Sequence, residues 1–232
     1  MKVALQHGIA RIIAACRNVL ATIPQSDTPQ PRSNVKRHRI LFLAANPANT
    51  PPIRLGEEAR DIAHHLRVAT HRDAFDLETR WAVRPDDVLL ELNEHSPTVV
   101  HFSGHGDGAP GILLQDAIGN ARPVDATVLR QLFKTMKGQI RIVVLNACFS
   151  DEQAEAIAEV IDIVVGMRAA IDDGSARRFA AAFYRGLAFG ATIENAFDQG
   201  RLAIALDGLP DECAPILRVR SGVDPTVVRL VA

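Results

Sequence analysis

The chain has 232 residues, of which 47% are hydrophobic and 23% charged, and its formal net charge is -1. This length allows one large α/β domain with little left for a second, and the charge balance indicates neither nucleic acid nor an anionic membrane as a partner. The three cysteines, Cys16, Cys148 and Cys213, are widely spaced and odd in number. They form neither a disulfide framework nor a CxxC metal motif, so we expect a cytoplasmic protein without a metal or other cofactor.

The first 23 residues predict an amphipathic helix. Apolar residues recur at helical spacing from Leu5 to Ile23, whereas Arg11 and Arg17 argue against a membrane span or a signal peptide. Such an apolar stripe packs either on the domain's own surface or on a partner protein, and both alternatives stay open. Residues 24–38 contain three prolines among polar residues and predict an extended linker. The main domain is expected to span residues 39–232.

From residue 39 onwards, short apolar runs alternate with amphipathic segments. Strands are predicted at 40–44, 75–83, 98–103, 140–145, 162–167 and 216–220, with a small hairpin over 112–124. Helices are predicted at 57–68, from Pro85, from Asp125 to Met136, from Ser150 to about Val160, and in two segments after Ser175. This alternation predicts an α/β fold with a mainly parallel sheet and helices on both faces.

Two of the predicted strands end at a reactive side chain. The sequence HFSGHG places His105 between Gly104 and Gly106 after the third strand, and LNACFS places Cys148 after the fourth. Because ligands bind beyond the carboxyl ends of the strands in a parallel sheet, we expect these two side chains to meet there. Histidine and cysteine form the minimal machinery of a thiol protease, with Cys148 as nucleophile and His105 as general base and then general acid.

The neighbouring residues favour the same chemistry. Ser150 and Gln153 match a capping box, and a helix that starts there points its positive end towards Cys148 and favours the thiolate. The backbone amides of Gly106 and Cys148 are candidate donors to the oxyanion of a tetrahedral intermediate. Each motif alone has an ordinary alternative, because an isolated buried cysteine is usually a packing residue and an isolated His-Gly pair a turn.

HFSGHG followed by LNACFS resembles the CHAT family of caspase-like proteases, within the larger group that contains caspases, separases and gingipains. The likeness runs from about Ile40 to Leu206. It implies a caspase-like three-layer sandwich and a catalytic dyad of His105 and Cys148, without an assigned third member. It also implies a regulated effector in a prokaryotic defence, signalling or cell-death pathway, which cleaves a protein or peptide and is switched on by a partner or sensor. Residues 1–23 are the candidate docking element for such a partner.

The loop after the fifth strand carries the residues that the resemblance links to substrate choice. Asp173 is similar in position to the pocket acid of separases, and a buried carboxylate from Asp172 or Asp173 would favour arginine or lysine before the scissile bond. The alternative is that these acids cap the helix that begins near Ser175. Arg168 stands where many relatives have an apolar or aromatic residue, and its charge is able to neutralise one acid.

Two other classes compete with the protease interpretation. One is an interaction module that keeps the fold without turnover, against which the intact His-Cys pair argues. The other is a nucleotide or small-molecule binder on a doubly wound sheet, but no GxGxxG or Walker loop follows Leu43. His101, on the third strand, is interpreted as a satisfied core histidine rather than a catalytic group.

Overall fold

The computed structural model describes residues 37–108 and 111–231. The predicted helix over residues 1–23 and most of the predicted linker over 24–38 lie outside the described residues. The strands are β1 (His38–Ala45), β2 (Phe75–Trp81), β3 (Val99–Gly104), β4 (Ile112–Gln115), β5 (Ala121–Val124), β6 (Ile142–Asn146), β7 (Ile163–Met167) and β8 (Pro215–Val219). The helices are α1 (Leu55–Val68), α2 (Pro85–His95), α3 (Ala126–Met136), α4 (Asp151–Ala158), α5 (Asp173–Ala188) and α6 (Ile193–Leu206).

A six-stranded sheet in the order β2-β1-β3-β6-β7-β8 forms the centre of the described domain. The strands from β2 to β7 in this order run parallel, and β8 pairs antiparallel with β7 at one edge. β4 and β5 form a separate antiparallel hairpin. The central strands β3 and β6 are buried along their whole length, which explains why they are short and mainly apolar runs in the sequence.

The two faces of the sheet support separate hydrophobic cores. In β1, Ile40 and Phe42 point to the face covered by α1, α5 and α6, whereas Leu41 and Leu43 point to the face covered by α2, α3 and α4. Successive side chains of a strand alternate between the faces of a sheet, so one fully apolar strand supplies both cores. The predicted mainly parallel sheet with helices on both faces is confirmed.

Most predicted elements agree closely with the observed ones. Pro85 begins α2, and the Asp125 side chain accepts a hydrogen bond from the Val128 amide at 2.8 Å at the start of α3. β1 begins at His38, the last residue assigned to the linker. In the ranges that the structure describes, none of the helices is both long enough and apolar enough to cross a membrane.

The capping box predicted for Ser150 and Gln153 is wrong. The Ser150 hydroxyl makes no helix cap; it donates to the Leu145 carbonyl at 3.1 Å and accepts from the Met167 amide at 3.0 Å. The Gln153 side chain donates instead to the Gly108 carbonyl at 2.9 Å. Tertiary partners outcompete the local cap, and both side chains fix the loops that follow β3 and β6.

Candidate active site

His105 and Cys148 follow neighbouring parallel strands. The ladder between β3 and β6 ends with Ser103 opposite Asn146, and each reactive residue comes two positions later in the chain. Both residues line a small cavity of about 60 Å³ beyond the carboxyl ends of these strands. The structure therefore brings the two predicted reactive side chains into one site.

The imidazole of His105 is oriented by a backbone carbonyl. Its Nε2 atom lies 2.8 Å from the carbonyl oxygen of Pro51, in the loop before α1. A carbonyl oxygen only accepts hydrogen bonds, so Nε2 carries the proton and Nδ1 keeps the lone pair of the neutral ring. This tautomer makes Nδ1 the atom that is able to take a proton from a thiol.

The half-buried side chain of Cys148 rests against the loop after β7. The Ile171 amide lies 3.5 Å from its Sγ atom, and Sγ lies 3.7 Å from the Ile171 carbonyl oxygen. The next residue, Phe149, has a φ of 53°, in the left-handed region, where a residue with a Cβ atom pays roughly 1–2 kcal/mol. A hydrogen bond of 3.2 Å from its amide to the Ala169 carbonyl holds this turn. Strain of this kind is concentrated at functional sites.

Gly106 lies directly against the backbone of Cys148. A Cβ atom at position 106 would lie 1.9 Å from the Cys148 carbonyl oxygen and 3.2 Å from its amide nitrogen, so only glycine fits. The two residues predicted to supply oxyanion donors are thus side by side. α4 begins at Asp151, which places the amino end of a helix three residues after Cys148.

The three residues predicted for the substrate pocket lie in different places. Asp173 lines the cavity of His105 and Cys148, and its carboxylate accepts a hydrogen bond from Arg54 Nε at 3.1 Å. Asp172 caps α5 by accepting from the Gly174 amide at 2.8 Å, as the alternative interpretation predicted. Arg168 lines another cavity, beside α6.

Sequence reasoning missed three residues near the dyad. Pro51 and Arg54 belong to the loop before α1, and their contacts give no signal in a polar, proline-containing segment. Glu58 is 3% exposed and lines the same cavity. Its signal is present in the sequence, because an acid between Leu55 and Ile62 interrupts the apolar face of an amphipathic helix.

Among the described residues, one group of side chains is close enough together to share a metal ion: Glu91, Glu94 and His95. Glu91 is already paired with Arg80 Nε at 2.6 Å and with His95 Nε2 at 3.0 Å. This group does not line the cavity of the two reactive residues.

A family model for the CHAT domain matches residues 9–212. A probable protease from Gillisia limnaea is 28% identical over 147 residues, which cover 62% of this chain and 26% of that protein. A Roc-COR-CHAT protease from an unknown prokaryotic organism is 27% identical over 154 residues, which cover 63% of this chain and 14% of that protein. The chain therefore spans only a small part of the length of these curated relatives.

The crystal structure of the Arg-specific cysteine proteinase gingipain R superposes with a TM-score of 0.60. The superposition covers 85% of this chain and 48% of gingipain R, at 14% identity. Likeness at this level shows the fold, and the predicted caspase-like architecture is confirmed. Since the family model covers most of the chain, this protein belongs to the CHAT domain family.

Proposed function

We propose that this chain is a cysteine endopeptidase with Cys148 as nucleophile and His105 as general acid and base. One observation carries the proposal: the two side chains line the same cavity beyond the carboxyl ends of β3 and β6. Both curated relatives are named as proteases, and gingipain R, which shares the fold, is a cysteine proteinase. These names support the same class of chemistry.

The mechanism begins with transfer of the thiol proton from Cys148 to Nδ1 of His105. The thiolate sulfur attacks the carbonyl carbon of the scissile bond, and a C–S bond forms as the carbonyl oxygen becomes an oxyanion. The amides of Gly106 and Cys148 donate to this oxyanion, and each such donor typically contributes about 3–4 kcal/mol to the transition state.

The intermediate then collapses. The C–N bond breaks as the His105 imidazolium returns its proton to the leaving amine, which leaves a thioester on Cys148. Water attacks the thioester with His105 again as base, and the acid product and the free thiol are released. Throughout both half-reactions the Pro51 carbonyl keeps the proton on Nε2, so Nδ1 does all the proton transfer.

We further propose that the residue before the scissile bond is basic. Asp173 supplies a carboxylate to the cavity, and a guanidinium or ammonium group pairs with a carboxylate through charge-assisted hydrogen bonds. The arginine specificity in the name of gingipain R supports this preference. Because Arg54 already forms an ion pair with the Asp173 carboxylate, a substrate side chain must displace Arg54 or share the carboxylate with it.

As its biological role we propose a cytoplasmic effector in a prokaryotic defence, signalling or cell-death pathway. The name of the Roc-COR-CHAT protease lists further modules beside the protease. This supports control by a linked or separate partner. Residues 1–23 are the proposed docking element for an activating protein. Full activity of the isolated chain, unchanged after removal of residues 1–34, would contradict this regulation.

Electrophilic peptide probes test the activity and the substrate class together. We expect an acyloxymethyl ketone with arginine before the reactive group to label Cys148, and the adduct to be lost in His105→Ala and Cys148→Ala. The matched probe carries citrulline, an uncharged isostere of arginine. We expect the arginine probe to label about 10- to 100-fold faster than the citrulline probe, which corresponds to the free energy of one hydrogen bond to a charged group. This preference should disappear in Asp173→Asn.

Cys213→Ala is the control variant, because this exposed cysteine contacts Arg201 and lies outside the cavity. It should label like the wild type. Labelling at another residue, or none after an activator is supplied, would contradict the peptidase proposal and favour an interaction module without turnover. Equal labelling by both probes would contradict only the preference for a basic residue.

A further inference from the structure

A buried carboxylate beneath the reactive residues takes no part in the mechanism proposed above. Glu58, on α1, accepts a hydrogen bond on Oε1 from Asn146 Nδ2 at 2.6 Å. The hydroxyl of Ser103 donates to Oε2 of the same carboxylate. By these two hydrogen bonds, Oε2 of Glu58 is joined to β3 and Oε1 to β6.

The positions of these two donors match the positions of the reactive residues. Ser103 and Asn146 are the last paired residues of the β3–β6 ladder. His105 follows Ser103 by two residues, and Cys148 follows Asn146 by the same interval. The carboxylate thus joins the two strands at the last pair of their ladder, two residues before each reactive residue.

We propose that Glu58 is a positioning residue for the dyad: its carboxylate joins the ends of β3 and β6 and thereby fixes the separation of His105 and Cys148. This inference rests on the proposed peptidase function. Glu58 touches neither the substrate nor the reacting atoms in the mechanism above, and it acts through Ser103 and Asn146.

A second layer of buried polar side chains surrounds Glu58. His101 Nε2 lies 2.9 Å from Glu58 Oε1, and His101 Nδ1 lies 3.1 Å from the Tyr184 hydroxyl. Complete burial and the nearby charge of Glu58 raise the pKa of Tyr184 well above its ordinary value, so its hydroxyl stays protonated beside Nδ1. His101 and Tyr184 thus extend the buried polar cluster around Glu58, whose hydrogen-bond donors are Ser103 and Asn146.

Simple packing would not require this arrangement. A buried carboxylate loses its hydration, and an apolar side chain of similar volume is often as stable or more stable at such a position. In the described ranges no arginine or lysine forms an ion pair with Glu58 that would offset this loss. What the carboxylate supplies, and an apolar side chain does not, is a pair of rigidly spaced acceptors for two strands.

The test measures the reactivity of Cys148 without a peptide substrate. Iodoacetamide alkylates each variant at neutral pH, and mass spectrometry of the Cys148 peptide separates this adduct from those at other cysteines. We expect alkylation of Cys148 in Glu58→Ala to be about 10- to 100-fold slower, close to the rate in His105→Ala, because a displaced imidazole no longer supports the thiolate. With a peptide substrate, kcat should fall and KM should stay unchanged.

Glu58→Gln separates spacing from charge. The glutamine amide oxygen is able to accept from Asn146 while its nitrogen donates to the Ser103 hydroxyl, so the connection between the strands is preserved. Its alkylation rate should remain within about 3-fold of the wild type, since this conservative variant replaces every hydrogen bond. If Glu58→Gln reacts as slowly as Glu58→Ala, charge and not spacing is the requirement, and the proposal is overturned.

Glu91→Ala is the matched control, because Glu91 is also a buried helical carboxylate, 9% exposed, and lies on the opposite face of the sheet. It should alkylate at the wild-type rate. Ser103→Ala tests the same connection in case Glu58→Ala does not fold, and should slow alkylation about 10-fold. Wild-type reactivity in a folded Glu58→Ala or in Ser103→Ala would overturn the proposal.

The same measurement distinguishes failure of the peptidase function. If Cys148 of the wild type reacts no faster than Cys148 in His105→Ala, the dyad itself is absent and the positioning role falls with it. If the wild type is faster than His105→Ala but Glu58→Ala equals the wild type, only the role of Glu58 is wrong.

Discussion

Two buried carboxylates on opposite faces of the sheet are held in different ways. Glu91, on α2, is paired with Arg80 of the edge strand β2 at 2.6 Å and with His95 at 3.0 Å. Glu58, on α1, accepts hydrogen bonds from a hydroxyl and an amide and lies beside an imidazole, and it contacts the two central strands that carry the reactive residues. The first arrangement neutralises a charge locally and stabilises the edge. In the second arrangement, one carboxylate contacts residues of several elements and positions a site.

This difference predicts that mutations in one region change mainly the stability of the protein, whereas mutations in the other change mainly its activity. The hydrogen bond to Glu91 raises the pKa of Arg80, as expected of an ion pair formed in the folded state. Changes near β2 should therefore alter the free energy of unfolding, and changes at the ends of β3 and β6 should alter cleavage.

The largest expected effect is on activity. Cys148→Ala should lower kcat/KM for a peptide substrate by at least about 10⁴-fold, since loss of a nucleophile removes the covalent route. Its melting temperature should stay near that of the wild type, because the side chain is only half-buried and its contacts with Ile171 are long. Residual cleavage near the wild-type level would place the chemistry elsewhere.

The second effect is on stability alone. Glu91→Ala removes the carboxylate that pairs with Arg80 and His95 and should lower the free energy of unfolding by about 2–3 kcal/mol. Urea unfolding measures this loss, and alkylation of Cys148 in the folded fraction should be unchanged. A simultaneous loss of Cys148 reactivity would show that the two regions are coupled.

The third effect compares two glycines. Gly106→Ala introduces a Cβ atom 1.9 Å from the Cys148 carbonyl oxygen, so the backbone must move and kcat should fall about 100-fold. Gly56→Ala on α1 is the control, because a Cβ atom there meets no neighbour within 4 Å. Because Gly56 lies in the first turn of α1, the free energy of unfolding should change by less than about 1 kcal/mol, without a reduction in cleavage. Equal activity of both variants would contradict the close packing at Gly106.

The smallest effect comes from His65, on the same helix as Glu58. Partial burial, followed by the charge of Arg185, lowers the pKa of His65 below its ordinary value of 6.5. The folded protein then binds this proton less readily than the unfolded chain, so stability is lost as the pH falls through 6.5. His65→Gln should lose less stability than the wild type between about pH 8 and pH 5, measured by urea unfolding. An identical pH dependence would contradict the shift.

The sequence predicted His105 and Cys148 because both follow an apolar run that stops abruptly at a reactive side chain. In a parallel sheet the ends of neighbouring strands lie together, so no detailed packing is needed to expect the convergence. The sequence also predicted the start of a helix where the capping contact is local, as at Asp125. At Ser150 the local rule failed, because the hydroxyl found partners in β6 and β7.

The contacts that the sequence did not reveal connect residues far apart in the chain. Glu58 is separated from Ser103 by 45 positions and from Asn146 by 88, and Arg54 from Asp173 by 119. An acid on the apolar face of α1 signals a buried polar contact, but its spacing says nothing about the partner. The same limit applies to Asp172 and Asp173, of which one caps α5 and the other faces the cavity.

The amino-acid sequence by itself determined the layered α/β architecture and the two reactive strand ends, because periodicity and strand termination are local properties of a chain. Tertiary structure alone decided which tautomer His105 adopts, which acid enters the cavity and which carboxylate joins the central strands. Each of these depends on hydrogen-bond donors and acceptors from elements distant in sequence, whose pairing is fixed only when the helices pack on the sheet.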